Sequence, residues 1–346
     1  MVFVPDMIKY SLMGTGNKTQ KTTGATPRHI LSVDQFDHQF VADLFADADH
    51  LASLTHRVLS PAENFAGFHI DITFYEPSTR TRKSFETAGF LLGLQVSVTE
   101  NAGAFSSAIK GETLEDSIRV LSGYDPLCII LRHPEKGAVA RAAAISPVPI
   151  INAGDGAGEH PTQALLDLFT IHREIGRIDD LNVLILGDCR YGRTTHSLVK
   201  MLSRQKNIHV RTATPEPLTL PEDLVNTVTE RGLTVEESYE LTEEQLAWAD
   251  IVYVTRLQKE RLPAEERSDF HKQYDIYRLT TDRVRVMKPT ARILHPLPRV
   301  GEIDTAVDFT PQAAYFKQAA YGVPLRMALL RWVLKDQAQK YRSSIR

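Results

Sequence analysis

"FHIDITFYEPSTRTRKSFETAGFLL", residues 68–92, is the stretch that decides the fold. An apolar, β-prone run from Ile70 to Tyr75 stops at Glu76 and Pro77. Ser78, Thr79, Arg80, Thr81 and Arg82 follow without a gap, and a helical pattern occupies Ser84 to Leu92. A strand that passes through a polar turn into a helix is the opening half of a β-α-β unit. The helix mouth also carries chemistry. Free backbone N–H groups and a partial positive charge make a helix N-terminus a seat for phosphate. Ser78, Thr79 and Thr81 add hydroxyl donors there, and Arg80 adds a planar fork that matches phosphate oxygens. A plain helix cap accounts for one hydroxyl but not for the whole Ser-Thr-Arg-Thr run. The glycines and the Gly-Lys-Ser/Thr of a P-loop are missing.

The same rhythm repeats along the chain. "LCIILR" (127–132) leads to a helix over 136–145, and "PVPIIN" (147–152) leads through "AGDGAGEHP" to a helix over 161–176. After "REIGRIDD" it restarts. "LNVLILGD" (181–188) precedes a helix over 191–205, and "IHVRTATP" (208–215) precedes one over 221–232. "DIVYVT" (250–255) and "ARILHPLP" (291–298) follow. Apolar strands alternating with helices predict parallel sheets covered on both faces. The restart predicts an α/β chain of two doubly wound parallel-sheet domains, with helix 161–176 between them. The segment 311–337 reads as helical, with a break at Gly322-Val323-Pro324 and Pro324 in the first turn of a second helix.

Parallel sheets bind ligands at the carboxyl ends of their strands. Six such ends carry polar or basic groups: Ser78-Thr79-Arg80-Thr81, Arg132-His133, His160-Pro161-Thr162-Gln163, Tyr191-Gly192-Arg193-Thr194, Arg256-Leu257-Gln258 and His295-Pro296-Leu297-Pro298-Arg299. One such end means little, since a lone arginine is usually a solvated surface residue. Six together predict a cleft lined for anions. "GDCRYGR" holds only Gly187 and Gly192, short of a dinucleotide fingerprint.

The bulk composition excludes several classes. With 346 residues, 24% charged and 42% hydrophobic, and a formal net charge of −3, the chain suits a globular protein of two domains. That charge gives no footprint for nucleic acid or a membrane surface, and no apolar run is long enough to cross a bilayer. Cys128 and Cys189 lie in or beside strands and read as buried, reduced thiols. The histidines form no HExxH and the cysteines no paired spacing, so no metal is expected. Residues 1–28 are rich in Thr and Gly, with Asp6 against Lys9, Lys18, Lys21 and Arg28, and read as a disordered tail. They lack the apolar core of a secretory signal, and a transit peptide for an organelle is the alternative reading.

"FYEPSTRTRKSFE", "LRHPEKGA", "NAGDGAGEHPTQALLDLFTI", "GDCRYGRTTHSL", "TRLQKER" and "LHPLPR" together resemble the aspartate carbamoyltransferase catalytic chain, in that family's order, from about residue 29 to about residue 335. The resemblance implies transfer of a carbamoyl group from carbamoyl phosphate to L-aspartate, the committed step of pyrimidine synthesis, without a cofactor. It implies a carbamoyl-phosphate domain over 29–165, an aspartate domain over 166–310, and C-terminal helices over 311–346 that pack back on the first. It implies a cytoplasmic homotrimer with shared active sites. It leaves open whether such a trimer stands alone, joins regulatory chains or associates with dihydroorotase.

Carried over residue by residue, the resemblance puts the phosphate cradle on Ser78, Thr79, Arg80, Thr81 and Arg132. His160 would contact the carbamoyl oxygen and Gln163 the carbamoyl NH2. Arg193, Arg256 and Gln258 would meet the aspartate carboxylates. Pro296 and Leu297 would present backbone carbonyls, and a neighbouring subunit would supply Ser106 and Lys110. Glu76 would pair with a cleft arginine, and His295 reads as structural. The chain departs from the family pattern at Ile109, Gly301, Tyr321 and Pro324, none of which removes a named group.

Ornithine carbamoyltransferases share the cradle but carry a Cys in the motif equivalent to "HPLP", where this chain has Leu297. Arg256 suits a side-chain carboxylate and repels an ammonium, which favours aspartate over ornithine. A non-catalytic paralogue would have lost cleft residues, and all are retained.

Overall fold

The computed structural model describes residues 28–54, 65–105, 111–256 and 276–344. In chain order the first half contains α1 (His38–Ser53), β1 (His69–Phe74), α2 (Thr79–Leu91), β2 (Gln95–Glu100), α3 (Ala102–Phe105), α4 (Leu114–Gly123), β3 (Ile129–His133), α5 (Ala138–Ile145), β4 (Ile150–Asp155) and α6 (Pro161–Ile175). The second half contains β5 (Leu181–Leu186), α7 (Arg193–Leu202), β6 (Ile208–Ala213), α8 (Glu222–Glu230), β7 (Thr234–Ser238), α9 (Glu243–Trp248), β8 (Ile251–Val254) and β9 (Arg292–Leu294). A short helix, Thr281–Arg285, precedes β9, and a long C-terminal helix, Tyr315–Ser344, closes the chain.

Two all-parallel sheets result, as the alternation of apolar strands and helices predicts. The first has the order β2-β1-β3-β4 and the second β7-β6-β5-β8-β9. Each starts at an inner strand, winds to one edge and returns to fill the other side. The connections therefore part between β1 and β3 in the first sheet and between β5 and β8 in the second. Such switch points open crevices at the strand ends.

The strands that the sequence reading finds are the apolar ones. Ile70, Ile72, Phe74, Ile129, Ile130 and Leu131 are fully buried. Two edge strands escaped it. β2 (QVSVTE) and β7 (TVEES) are mostly half-buried or exposed, so they lack a run of apolar residues. Helix α6 lies between the two halves as expected, and every residue from Pro161 to Ile171 is buried. It packs on α7 and on the C-terminal helix.

The expected break at Gly322-Val323-Pro324 is not present. A single helix runs from Tyr315 through Pro324 to Ser344. Proline inside a helix costs about 3 kcal/mol, through the lost N–H bond and a ring clash. Here Leu325, Met327, Leu329, Leu330, Val333 and Leu334 are all buried, and the helix packs on α1, α2 and α6. At roughly 1.5–3 kcal/mol for each large apolar side chain, that burial outweighs the penalty. Tyr321 bonds Glu174 through its hydroxyl at 2.6 Å and packs edge-on against Phe169, so this departure tightens the contact with α6. Cys128 and Cys189 are buried and unbridged, and burial raises both thiols far above their ordinary pKa.

Candidate active site

The six strand ends converge on one cavity of about 700 Å³ between the sheets. Ser78, Thr79, Arg80, Thr81, Arg132, His160, Gln163, Arg193, Arg256, Pro296 and Leu297 all line it. Ser106, Lys110 and Gln258 lie outside the described residues.

The wall nearest the first sheet is the mouth of α2. Ser78 is its N-cap residue, yet its side chain makes no capping bond. The hydroxyl and the first N–H groups of the helix thus lack the usual internal partner. Arg82 is tied to Glu86 and Glu100, at 3.2 and 3.0 Å. Arg80, by contrast, makes no ion pair among the described residues.

Arg132, at the end of β3, and Arg193, the first residue of α7, come from different sheets and are nearly buried. Both reach Oε2 of Glu76, at 3.0 and 2.6 Å. Arg132 Nη1 also donates to the carbonyl of Ala153 at 3.2 Å, and Arg193 Nη1 to that of Gly156 at 3.0 Å. The two guanidiniums close over Gly154, which sits at φ +127°. A Cβ there would lie 2.9 Å from Arg132 Nη1 and 3.0 Å from Arg193 Cζ. Only glycine lets the arginines approach the backbone so closely.

His160 is buried at the start of α6. Its Nε2 lies 3.5 Å from the Thr81 hydroxyl, its Nδ1 3.4 Å from that of Thr162, and its backbone N–H donates to Ser197 Oγ at 2.8 Å. Burial first, then Arg132, Arg193 and Arg326, hold its pKa well below the ordinary histidine value. The ring is therefore neutral at neutral pH. It can offer one N–H to a developing anion, and it cannot act as a permanent cation.

Opposite lies the segment after β9. His295 is buried; its Nδ1 accepts from the N–H of Leu297 at 2.7 Å, so its Nε2–H donates to Glu302 at 2.8 Å. Leu297 has φ +53°, a conformation that non-glycine residues rarely adopt and that clusters at functional sites. The structural reading of His295 holds in this sense: its ring shapes the turn that carries Pro296 and Leu297.

Sequence reasoning missed other lining residues. Lys83 and Thr87 follow Thr79 at helical spacing on the cavity side of α2, and that periodicity was the available signal. Gln318 and Arg326 reach the cavity from the C-terminal helix. Arg326 is 3% exposed, with its guanidinium 4.9 Å over the Phe85 ring. A lone arginine within the apolar run "VPLRMALL" was the signal there.

A two-domain α/β chain with donor-rich strand ends facing each other across one cleft is a protein built to bring two small anions together. The description "Aspartate/ornithine carbamoyltransferase, carbamoyl-P binding domain" matches residues 28–173, and "Aspartate/ornithine carbamoyltransferase, Asp/Orn binding domain" matches residues 179–333. Aspartate carbamoyltransferase 3, chloroplastic, of Pisum sativum is 45% identical over 306 residues, covering 88% of this chain and 77% of the relative. The aspartate carbamoyltransferase catalytic subunit of Methanocaldococcus jannaschii is 43% identical over 311 residues, covering 89% and 98%. Among solved structures, aspartate transcarbamoylase from Trypanosoma cruzi, in complex with carbamoyl aspartate and phosphate, superposes with a TM-score of 0.81 at 37% identity, covering 88% of this chain and 95% of that one. The catalytic subunit of M. jannaschii aspartate transcarbamoylase gives a TM-score of 0.79 at 42% identity, covering 89% and 98%. This chain belongs to the aspartate/ornithine carbamoyltransferase family, and within it to the aspartate carbamoyltransferases.

Proposed function

We propose that this chain performs its family's reaction with the cavity residues in the following roles. The enzyme transfers the carbamoyl group of carbamoyl phosphate to the amine of L-aspartate, giving N-carbamoyl-L-aspartate and phosphate. Ser78, Thr79, Arg80, Thr81 and Arg132 bind the phosphate at the mouth of α2. Gln163 and the carbonyls of Pro296 and Leu297 hold the carbamoyl nitrogen. Arg193, Arg256 and Gln258 take the aspartate carboxylates. The observation that carries this reading is the convergence of six strand ends on one cavity, with anion donors from both sheets.

The chemistry follows from these types. The aspartate amine attacks the carbamoyl carbon, forming a C–N bond while negative charge grows on the carbonyl oxygen. Arg80, Thr81, Arg132 and the neutral His160 stabilise that charge in a cleft of low dielectric. The C–O bond to phosphate then breaks, and the departing phosphate takes the amine's proton. No covalent nucleophile is required, so catalysis is positioning plus electrostatics.

The same reading makes the protein a cytoplasmic homotrimer in pyrimidine synthesis, with Ser106 and Lys110 entering the site from a neighbouring subunit. Two buried thiols without a disulfide support a reducing compartment. No helix among the described residues is long and apolar enough to cross a membrane. We divide the chain as 29–165 for carbamoyl phosphate, 166–310 for aspartate and 311–346 for the return to the first domain.

The test is an assay of purified protein with carbamoyl phosphate and either L-aspartate or L-ornithine. Carbamoylated product with aspartate alone is the expected result. Product with ornithine would reassign the second substrate, and product with neither would remove the catalytic reading.

A further inference from the structure

Asp167 is fully buried on α6, one helical turn after Gln163, behind the residues that line the cavity. Its carboxylate nevertheless collects donors from three elements. Gln163 Nε2 donates to Oδ1 at 2.7 Å, and Gln318 Nε2, from the C-terminal helix, donates to the same oxygen at 2.6 Å. The Tyr253 hydroxyl, from β8, donates to Oδ2 at 2.9 Å. These bonds fix which way each carboxamide points. With its NH2 held by Asp167, Gln163 has its carbonyl oxygen left to accept a hydrogen bond. In Gln318 that oxygen is already in use, accepting from the N–H of His295 at 2.8 Å. His295 in turn holds the N–H of Leu297.

We propose that Asp167 is a positioning residue that orients both groups meeting the carbamoyl nitrogen, Gln163 directly and the Pro296-Leu297 carbonyls through Gln318 and His295. The proposal rests on the roles assigned above to Gln163, Pro296 and Leu297. It explains why a carboxylate is kept where burial alone opposes it. Burial outweighs the opposing pull of the three hydrogen bonds and the Arg326 cation, and the Asp167 carboxyl is raised to about 7. The titratable and charged groups facing it are Tyr253 on β8 and Arg326 on the C-terminal helix. An apolar side chain could fill this space but could not aim two carboxamides. An amide oxygen accepts both bonds, so asparagine should preserve the orientation.

The experiment measures kcat and KM for carbamoyl phosphate in the intact chain, with thermal stability alongside. Asp167→Ala should lower kcat/KM about 100-fold, the scale of an ångström-sized misplacement. Asp167→Asn should recover most of that loss. Adding Asp167→Ala to Gln163→Ala should cost far less than it does alone, because one arm is already gone. Gln318→Leu keeps Asp167 in place, cuts only the second arm and should by itself lower kcat/KM about tenfold. It also serves if Asp167→Ala fails to fold. The proposal is overturned if Asp167→Ala, folded, keeps wild-type kcat/KM, if its loss simply multiplies with that of Gln163→Ala, or if Gln318→Leu is fully active. An inactive wild type would instead sink the functional reading on which it stands.

Discussion

Glu76 Oε2 lies 2.6 Å from Arg193 Nη2, so a carboxylate that follows the first sheet's β1 holds an arginine that opens the second sheet's α7. The same oxygen holds Arg132 at 3.0 Å. The two cations assigned to different substrates are therefore bridged, and aimed, by one anion. Pairs of this kind lose more when one partner is removed than their net contribution suggests, because the other charge is left buried. Glu76→Gln should lower kcat at least about tenfold through misplacement of Arg193 and Arg132. Affinity for phosphate should not weaken, since the competing internal anion is gone. Steady-state kinetics with phosphate calorimetry checks both; unchanged kcat would remove the orienting role.

Gly154 makes the second prediction. Alanine there meets both a backbone at φ +127° and a Cβ contact of 2.9 Å with Arg132. Strain of this type costs about 1–3 kcal/mol. Gly154→Ala should lower thermal stability and also cut kcat/KM for both substrates, because both guanidiniums are displaced. A stability loss with wild-type kinetics in the folded protein would show that the close approach has no role in the chemistry.

The proposed sharing of the site between subunits of a trimer makes the third. Arg80→Ala and Lys110→Ala should each be nearly inactive as pure trimers. After mixing and proven subunit exchange, each mixed trimer in a closed three-fold ring contains about one interface with both intact halves. Activity should therefore return. No recovery would place Lys110 in the same site as its own Arg80.

The fourth concerns pH and stability. Burial raises the Asp167 carboxyl to about 7, against an ordinary aspartate value of 3.8. Between those values the folded state binds a proton that the unfolded state has released, so stability falls as pH rises through that window. Asp167→Asn should flatten this part of the profile in denaturant titrations at several pH values. An unchanged slope would assign the dependence to other groups.

Much of the architecture was legible because apolar strands announce themselves. Ile129, Ile130 and Leu131 are successive residues buried on both faces of a parallel sheet, so they read as one run. The edges were not legible, since β2 and β7 bury too little for any pattern to form. Strand order was also invisible, because nothing local tells β1 that its neighbours will be β2 and β3. In the cleft, residues next to strand ends were found by position alone. Asp167, Gln318 and Arg326 were missed because they lie within helices and reach the site, or its ligands, only through tertiary packing. Pro324 misled for a related reason: local propensity argued for a break, and burial along the helix overrode it.

Cys128 precedes β3 and Cys189 follows β5, so each half of the molecule contains one sealed sulfur. A thiol this deep meets a labelling reagent only when its surroundings open. Each cysteine is therefore a clock for its own surroundings. Mass spectrometry of labelled peptides would time the opening of either half in a single tube. Phosphate alone should slow the first clock more than the second, whereas a compound filling both anion sites should slow the pair together.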